Sequence, residues 1–562
     1  MDFKKLIADA LEEKAGIPSK ELQEMIEIPP KKEMGDFAFP CFKLARVLRK
    51  APPMIASELK DTVTMPDFVK QVQVEGGYLN FFISPEKRAA AVLTEINEAG
   101  EKYGASSLGD GKTVCIDYSS INIAKRCHIG HLTTTVLGAS LANIHRFLGY
   151  EVVSINHLGD WGTQFGKMLC AFKHWGNKED VEAKGVNALI ELYVRFEKEA
   201  DEDMQTEARA WFKKIEDDDP EAIELFSWFK DITLKDVAEI YDLLNIKFDS
   251  YAGESFYKDK CGAVVDELKA KNMLEFSEGA YVVKLDEFDM PPCILLKSDG
   301  ASIYATRDLA AAFYRKKTYD FDKCLYVVAY QQNLHFKQVF KVVELMGYPW
   351  AKDLVHVPFG MVSYEGQTLS TRKGHVVYLD EVLHRAIDKA RDIVEEKNPN
   401  LENKEQVAKQ VGIGAVIFYD LFSGKIKDVD FWWDRALNFE GETGPYVQYA
   451  HTRCCSVLAK APELDANKAD FAALSDDASC ELIACLEAFP QIVLDAAEKY
   501  EPSIITRYCA SLAQNYNKFY FDNRILGEEE GVMQARLLVT KCTRDVIKTA
   551  LGLLGIDAPE KM

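Results

Sequence analysis

Apolar positions in the first hundred residues follow two periods. MDFKKLIADALEEK repeats its hydrophobic side at helical spacing, whereas VKQVQVEGGYLNFFI (69–83) alternates residue by residue and breaks at Gly76-Gly77, as strands around a tight turn do. Residues 1–108 therefore read as a small α/β module, ending in the Gly- and Ser-rich linker EKYGASSLGDGK (101–112). From Thr113 the pattern becomes strand, loop, helix, strand. TVCIDY (113–118) is a short apolar strand and SSINIAKRCHIGH a loop. The helix after it carries Leu137, Leu141, Ile144 and Leu148 on one face and stops at Gly149, before the strand EVVSINHL (151–158). A second such unit runs from KCLYVVAY (323–330) through a helix near 334–347 to LVHVPFG (354–360). About 160 residues lie between the two, mostly helical and acidic, with a short β section at 280–297. Two βαβ halves around an insert predict an α/β, Rossmann-like, doubly wound parallel-sheet domain over 109–400, with its ligand crevice at the carboxyl ends of the strands. Beyond about residue 400 strand patterning gives way to long amphipathic helices, so 401–562 reads as all-α.

Composition narrows the class. The chain has 562 residues, too many for one core, and three domains are expected. No apolar run reaches the ~20 residues of a membrane span, and the acidic amphipathic N-terminus does not resemble a signal peptide. A cytoplasmic protein with no membrane partner is expected. The 13 cysteines are scattered without a C-x₂-C pair, so neither a disulfide framework nor zinc is expected, and no metal ligands are assigned. A net charge of −21 argues against a nucleic-acid partner. Residues 196–225, however, hold twelve acids against four bases; an acidic insert leaves other faces free to present cations.

The most informative residues are His128-Ile129-Gly130-His131, at the turn between the first strand and its helix. With this composition H-x-G-H arises by chance in roughly one such chain in a hundred. A helix N-terminus offers unpaired N–H groups to phosphate, Gly130 lets a nucleotide approach the backbone, and two imidazoles can donate to phosphate oxygens as charge builds. A pair of capping histidines is the bland alternative. Leu369-Ser370-Thr371-Arg372-Lys373-Gly374 follows the second half and puts two cations and two hydroxyls on one loop, suited to pyrophosphate.

H-I-G-H with a downstream M-S-K-S-like loop resembles the class I aminoacyl-tRNA synthetases. DYSSINIAKRCHIGHL (117–132), LGDWGTQFG (158–166), YAGESF (251–256), IYATRDLAAA (303–312), YVVAYQQNLHF (326–336), GPYVQYAHTR (444–453) and the terminal PEKM resemble the arginine-specific branch, in family order through most of the chain. The resemblance implies a ligase that uses ATP with Mg²⁺ to make arginyl-adenylate and passes arginine to tRNA(Arg), as a monomer. It implies His128, His131, Lys125, Arg372 and Lys373 as catalytic residues, with Gly130, Ser370 and Thr371 also at ATP. Lys125 would replace the second lysine of the usual loop, where this chain offers Thr371 or Arg372. For arginine it implies Glu254, Tyr304, Asp308 and Gln332 at the guanidinium, and Asp117, Asn122 and Ser119 at the α-amino acid end. A guanidinium is a planar fork of donors, so carboxylates and neutral acceptors suit it. The N-terminal module resembles a D-loop reader using Tyr78 and Asn80. The helical region resembles an anticodon-binding domain, with Tyr446, Tyr449, His451, Arg453, Tyr516 and Tyr520 as contacts. A synthetase for another amino acid, a small-molecule nucleotidylyltransferase and a non-catalytic RNA-binding paralogue are the competing readings. The first predicts zinc-binding cysteines, the second lacks the flanking domains, and the third shows damaged signature loops.

Overall fold

The computed structural model describes residues 2–368 and 376–562, which form two compact units. One unit combines Met1–Tyr103 with Arg453–Phe489 and Ser511–Val546. Its sheet has three antiparallel strands in the order β1-β3-β2: β1 (Phe37–Pro40), β2 (Val69–Glu75) and β3 (Tyr78–Ile83). The β2–β3 hairpin turns at Gly76, whose φ of 59° is left-handed. A Cβ on the neighbouring Gly77 would sit 2.8 Å from the Phe42 ring, which accounts for the second glycine. Phe39, Leu79 and Phe81 pack beneath helices that bury Ile7, Leu11, Leu93 and Ile96. Residues from the far end of the chain complete this core. Arg88 pairs with Asp36 at 2.9 Å and with Glu487 at 2.6 Å, and the Cys542 thiol donates to the Leu93 carbonyl at 3.5 Å.

The other unit comprises Gly104–Thr452, Pro490–Ala510 and Ile547–Met562. Its central sheet has four parallel strands, β4 (Thr113–Asp117), β5 (Glu151–Ile155), β6 (Lys323–Ala329) and β7 (Leu354–Phe359), in the order β7-β6-β4-β5. The βαβ helices are α1 (Leu132–Phe147) and, in the second half, α6 (Asn333–Leu345). Between the halves lie α2 (Thr163–Trp175), α3 (Glu202–Glu216), α4 (Pro220–Leu243) and α5 (Tyr304–Tyr319). All four strands match the expected ones within a residue or a few. Strand order changes direction between β4 and β6, so the loops after β4, β5 and β6 open on one edge, where such sheets take ligands.

One short strand interrupts the helical region after the helix Lys404–Phe422. Val429–Phe431 is a short strand that pairs in parallel with Val362–Tyr364; three residues are too few to show alternation. Helices follow from Trp433 onward and contribute residues to both units.

Candidate active site

The His128–His131 turn is built as a reciprocal cap. Gly130 N–H donates to His128 Nδ1 at 3.1 Å, and His128 N–H donates to His131 Nδ1 at 3.1 Å. Each Nδ1 is thus an acceptor, which leaves the proton of each neutral ring on Nε2. Burial lowers both imidazoles, His131 to about 3, with the charges of His128 and Lys125 adding to the effect at His131. The pair is therefore neutral near pH 7 and presents N–H donors rather than two cations. Capping and ligand contact are compatible roles, since they use opposite edges of the same rings. Lys125 is exposed, and its charge reaches both histidines. Ser370, Thr371, Arg372 and Lys373 lie outside the described residues.

The loop that delivers this turn is strained. Ser119, Ser120 and Ala124 have positive φ values of 69°, 34° and 59°, each a cost for a residue with a Cβ. It is held by Gly159 N–H donating to Ile121 O at 2.8 Å, Ala124 N–H to Thr233 Oγ1 at 3.0 Å, and Ser119 N–H to Thr134 Oγ1 at 3.1 Å. A Cβ on Gly159 would meet Asn122 Oδ1 at 2.3 Å, so a glycine here lets the exposed Asn122 lie against the backbone.

A second cluster gathers at the same strand ends from five distant segments. Asp308, one turn into α5, lies 2.6 Å from His335 Nε2 and 4.0 Å from His157 Nε2. Arg315 donates to His157 Nδ1 at 3.2 Å, which places the His157 proton on Nε2, facing Asp308. Fully buried, Arg315 in turn pairs with Asp117 at 2.8 Å. Burial opposes the Arg315 charge, but Asp117 holds its pKa well above the ordinary value. For Asp308 burial pushes upward, yet the His335 hydrogen bond and the charges of His335, His157 and Arg315 prevail and keep it ionised below the usual range. Glu254 is raised by burial and by the Asp308 charge, against the pull of Arg307 and His157; Arg307 Nε donates to Glu254 Oε2 at 2.8 Å. Asp160 aims this acid: it accepts Ser255 N–H at 2.8 Å, Ser255 Oγ–H at 2.7 Å and Lys230 at 2.7 Å. Tyr304 is exposed, with its ring 4.8 Å from that of His335, and Gln332 is exposed on the turn after β6.

The family model for tRNA synthetases class I (R), catalytic domain, matches residues 92–433, the Arginyl tRNA synthetase N terminal domain matches 1–83, and the DALR anticodon binding domain matches 447–562. The chain belongs to the arginyl-tRNA synthetase family. It is 52% identical to the arginine–tRNA ligases of Alkaliphilus metalliredigens and Clostridioides difficile, across 100% of this chain and of each relative. The Thermus thermophilus arginyl-tRNA synthetase structure superposes with a TM-score of 0.85 at 30% identity, covering 100% of this chain and 99% of that one. The Plasmodium falciparum arginyl-tRNA synthetase, 22% identical, shares the fold at a TM-score of 0.81 over 100% and 98% of the two chains.

Against the expectations for a member of this family, several residues stand differently. Asp117 and Ser119 are buried and internally engaged. Asp117 takes Arg315 and the Ser120 hydroxyl (2.9 Å), while Ser119 Oγ bonds Thr135 and Tyr241 at 2.9 and 2.8 Å. Both bond within the loop and to the elements that flank it. Tyr78 is exposed, but Asn80, on the same face of the central strand β3, is only 4% exposed. His451 is buried with its Nδ1 2.9 Å from the Pro559 carbonyl, which explains the terminal PEKM as packing. Tyr516 is a core residue of the first unit, where Tyr520 and Phe521 are exposed and the Arg453 guanidinium lies 5.0 Å from the Tyr520 ring. Tyr449 is exposed and Tyr446 half-buried. His157, His335, Arg307, Arg315 and Asp160 carry the site without having been picked out from sequence. LGDWG, QQNLHF and YATRD, which contain Asp160, His335 and Arg307, carry the hint, as motif positions with no assigned role.

Proposed function

We propose that this chain is an arginine–tRNA ligase whose adenylate-forming centre spans the loops after β4, β5 and β6. One observation carries the reading: an ionised Asp308, bracketed by the Nε2–H groups of His157 and His335, shares a half-buried cluster with a second acid, Glu254. Two aimed carboxylates fit a guanidinium, and an apolar amino acid offers neither of them a donor. Arg307 on Glu254 already displays that contact within the protein. Tyr304 and Gln332 border the acids, and Asn122 serves the α-amino acid end.

ATP enters with Mg²⁺ as part of the nucleotide. The arginine carboxylate, ionised at neutral pH, needs no base to attack the α-phosphorus, so catalysis is positioning and electrostatics. His128 and His131 donate from Nε2 to phosphate oxygens, the Gly130 backbone admits the nucleotide, and Lys125 supplies the cation. Ser370, Thr371, Arg372 and Lys373 take the departing pyrophosphate; their assignment rests on sequence alone. The 3′ ribose hydroxyl of tRNA(Arg) then displaces AMP from the adenylate carbonyl. Residues 1–108 meet the tRNA D-loop through Tyr78. The helices of 401–562 meet the anticodon, with Tyr446, Tyr449 and Tyr520 offering rings for stacking.

Incubation with ATP, Mg²⁺, total tRNA and each labelled amino acid in turn tests this. Arginine alone is expected to appear as charged tRNA. Charging with any other amino acid, or none with arginine, overturns it.

A further inference from the structure

Helices α2 and α3 touch at a glycine. A Cβ on Gly166 would lie 2.1 Å from the Ala208 carbonyl oxygen and 2.8 Å from Phe212 Cβ, so only Gly permits this approach without displacement. Cys170 and His174 follow Gly166 at intervals of four, on the same face of α2. Opposite them, beside Ala208, stands Glu207 of α3. The thiol sulfur, an imidazole nitrogen and a carboxylate oxygen of these residues all lie within 4.8 Å of one another.

We propose that Cys170, His174 and Glu207 form a site for a zinc-class divalent cation, which staples α3 to α2, the helix that leaves the β5 loop. Zinc favours this donor set: sulfur at ~2.3 Å, nitrogen and oxygen at ~2.0–2.2 Å, with water completing a tetrahedron. Such a tetrahedron separates its donors by about 3.3–3.7 Å, so the three side chains need to move by about an ångström. His174 and Glu207, each 41% exposed, have that freedom and leave the fourth position open to water. Their present contact, His174 Nε2 to Glu207 Oε2 at 2.7 Å, is a proton held where the cation would sit. Trp211 Nε1–H donates to Glu207 Oε1 at 3.2 Å, the outer hydrogen bond that orients a ligating carboxylate. The Cys170 thiol donates weakly to the Met204 carbonyl at 3.7 Å and loses its proton on binding, as metal-bound thiols do. Two nearby cations, Lys173 and Lys214, are drawn off onto Trp211 and Glu221. The surrounding stretch 196–225, with twelve acids against four bases, concentrates cations near the site. A bare His174–Glu207 ion pair beside a buried thiol is the competing account.

The full-length protein, stripped with chelator, is titrated with Zn²⁺ against a chromophoric competitor and separately with Co²⁺. One equivalent of zinc and a cobalt–thiolate charge-transfer band are expected. The band should vanish in Cys170→Ser, and zinc affinity should fall at least tenfold in His174→Asn and Glu207→Gln. Bound zinc should raise the Tm of the wild type and leave that of Cys170→Ser unmoved. Absence of stoichiometric binding overturns the proposal and leaves the ion pair only. Equal binding by wild type and Cys170→Ser also overturns it, by locating the metal on other thiols.

Discussion

The two halves of the candidate centre are built in opposite ways. The His128–His131 turn is four consecutive residues that fix one another through their own backbone, and it is kept neutral by burial. The Asp308 cluster draws its members from around residues 117, 157, 254, 308 and 335, and depends on retained charge. A phosphate-binding turn needs directed N–H groups, which local geometry supplies. A guanidinium pocket needs aimed anions, which require balancing donors from elsewhere in the fold. The first half therefore tolerates loss of a distant residue better than the second.

The strongest test is Asp308→Asn, which leaves His157 and His335 without their anion and the substrate without its partner. Unpairing a buried charge costs about 3–5 kcal/mol, so kcat/KM for arginine in pyrophosphate exchange should fall roughly 10²–10⁴-fold, mostly through KM. A loss below tenfold would break the contrast. His128→Ala comes next. Removing one transition-state donor lowers kcat by about 10²–10³-fold, with the arginine KM held within about twofold; a parallel rise in KM would show that the halves are not separable.

A smaller effect concerns stability against pH. His131 is held at about 3 in the fold against 6.5 ordinarily, so the folded protein binds fewer protons than the unfolded chain. Its contribution is complete above pH 6.5 and is lost as acidity increases toward pH 3. His131→Asn should remove about 1–2 kcal/mol of the stability difference between pH 7 and pH 5, read by urea unfolding; an unchanged slope would refute the neutral assignment. The smallest effect lies behind the same helix. Thr133 donates to Asp420 Oδ1 at 2.8 Å, and burial raises that acid to about 7. Its contribution is present below about pH 3.8 and lost as pH rises through 7, where an ionised Asp420 leaves Oδ2 unpartnered. Asp420→Asn should therefore gain about 1 kcal/mol at pH 7 relative to pH 6. The reverse pH trend in thermal unfolding would show that Asp420 stays ionised.

The same contrast explains what sequence could disclose. The four strands and the H-I-G-H turn are contiguous and periodic, and they stand where the pattern puts them. Glu254 and Asp308 were visible through family motifs, but their orienting partners were not. His157 and His335 are separated by 178 positions, and no spacing ties one to the other. Asp117 and Ser119 show a further limit: a buried, satisfied polar group and an exposed one look alike in a loop sequence. Tyr516 and His451 were ambiguous for the converse reason: an aromatic on a helix does not declare which face it occupies until its neighbours are known.

Because the unit containing residues 1–103 also requires 453–489 and 511–546, its opening segment leaves the ribosome about 350 residues ahead of its partners. At roughly 5–20 residues per second, Leu93, Ile96 and the Arg88 guanidinium wait tens of seconds for the side chains that cover them. Until then this nascent end carries uncovered apolar surface of the kind that invites aggregation, and a truncation that spares every reacting group yet removes the last helix would still leave it unfinished.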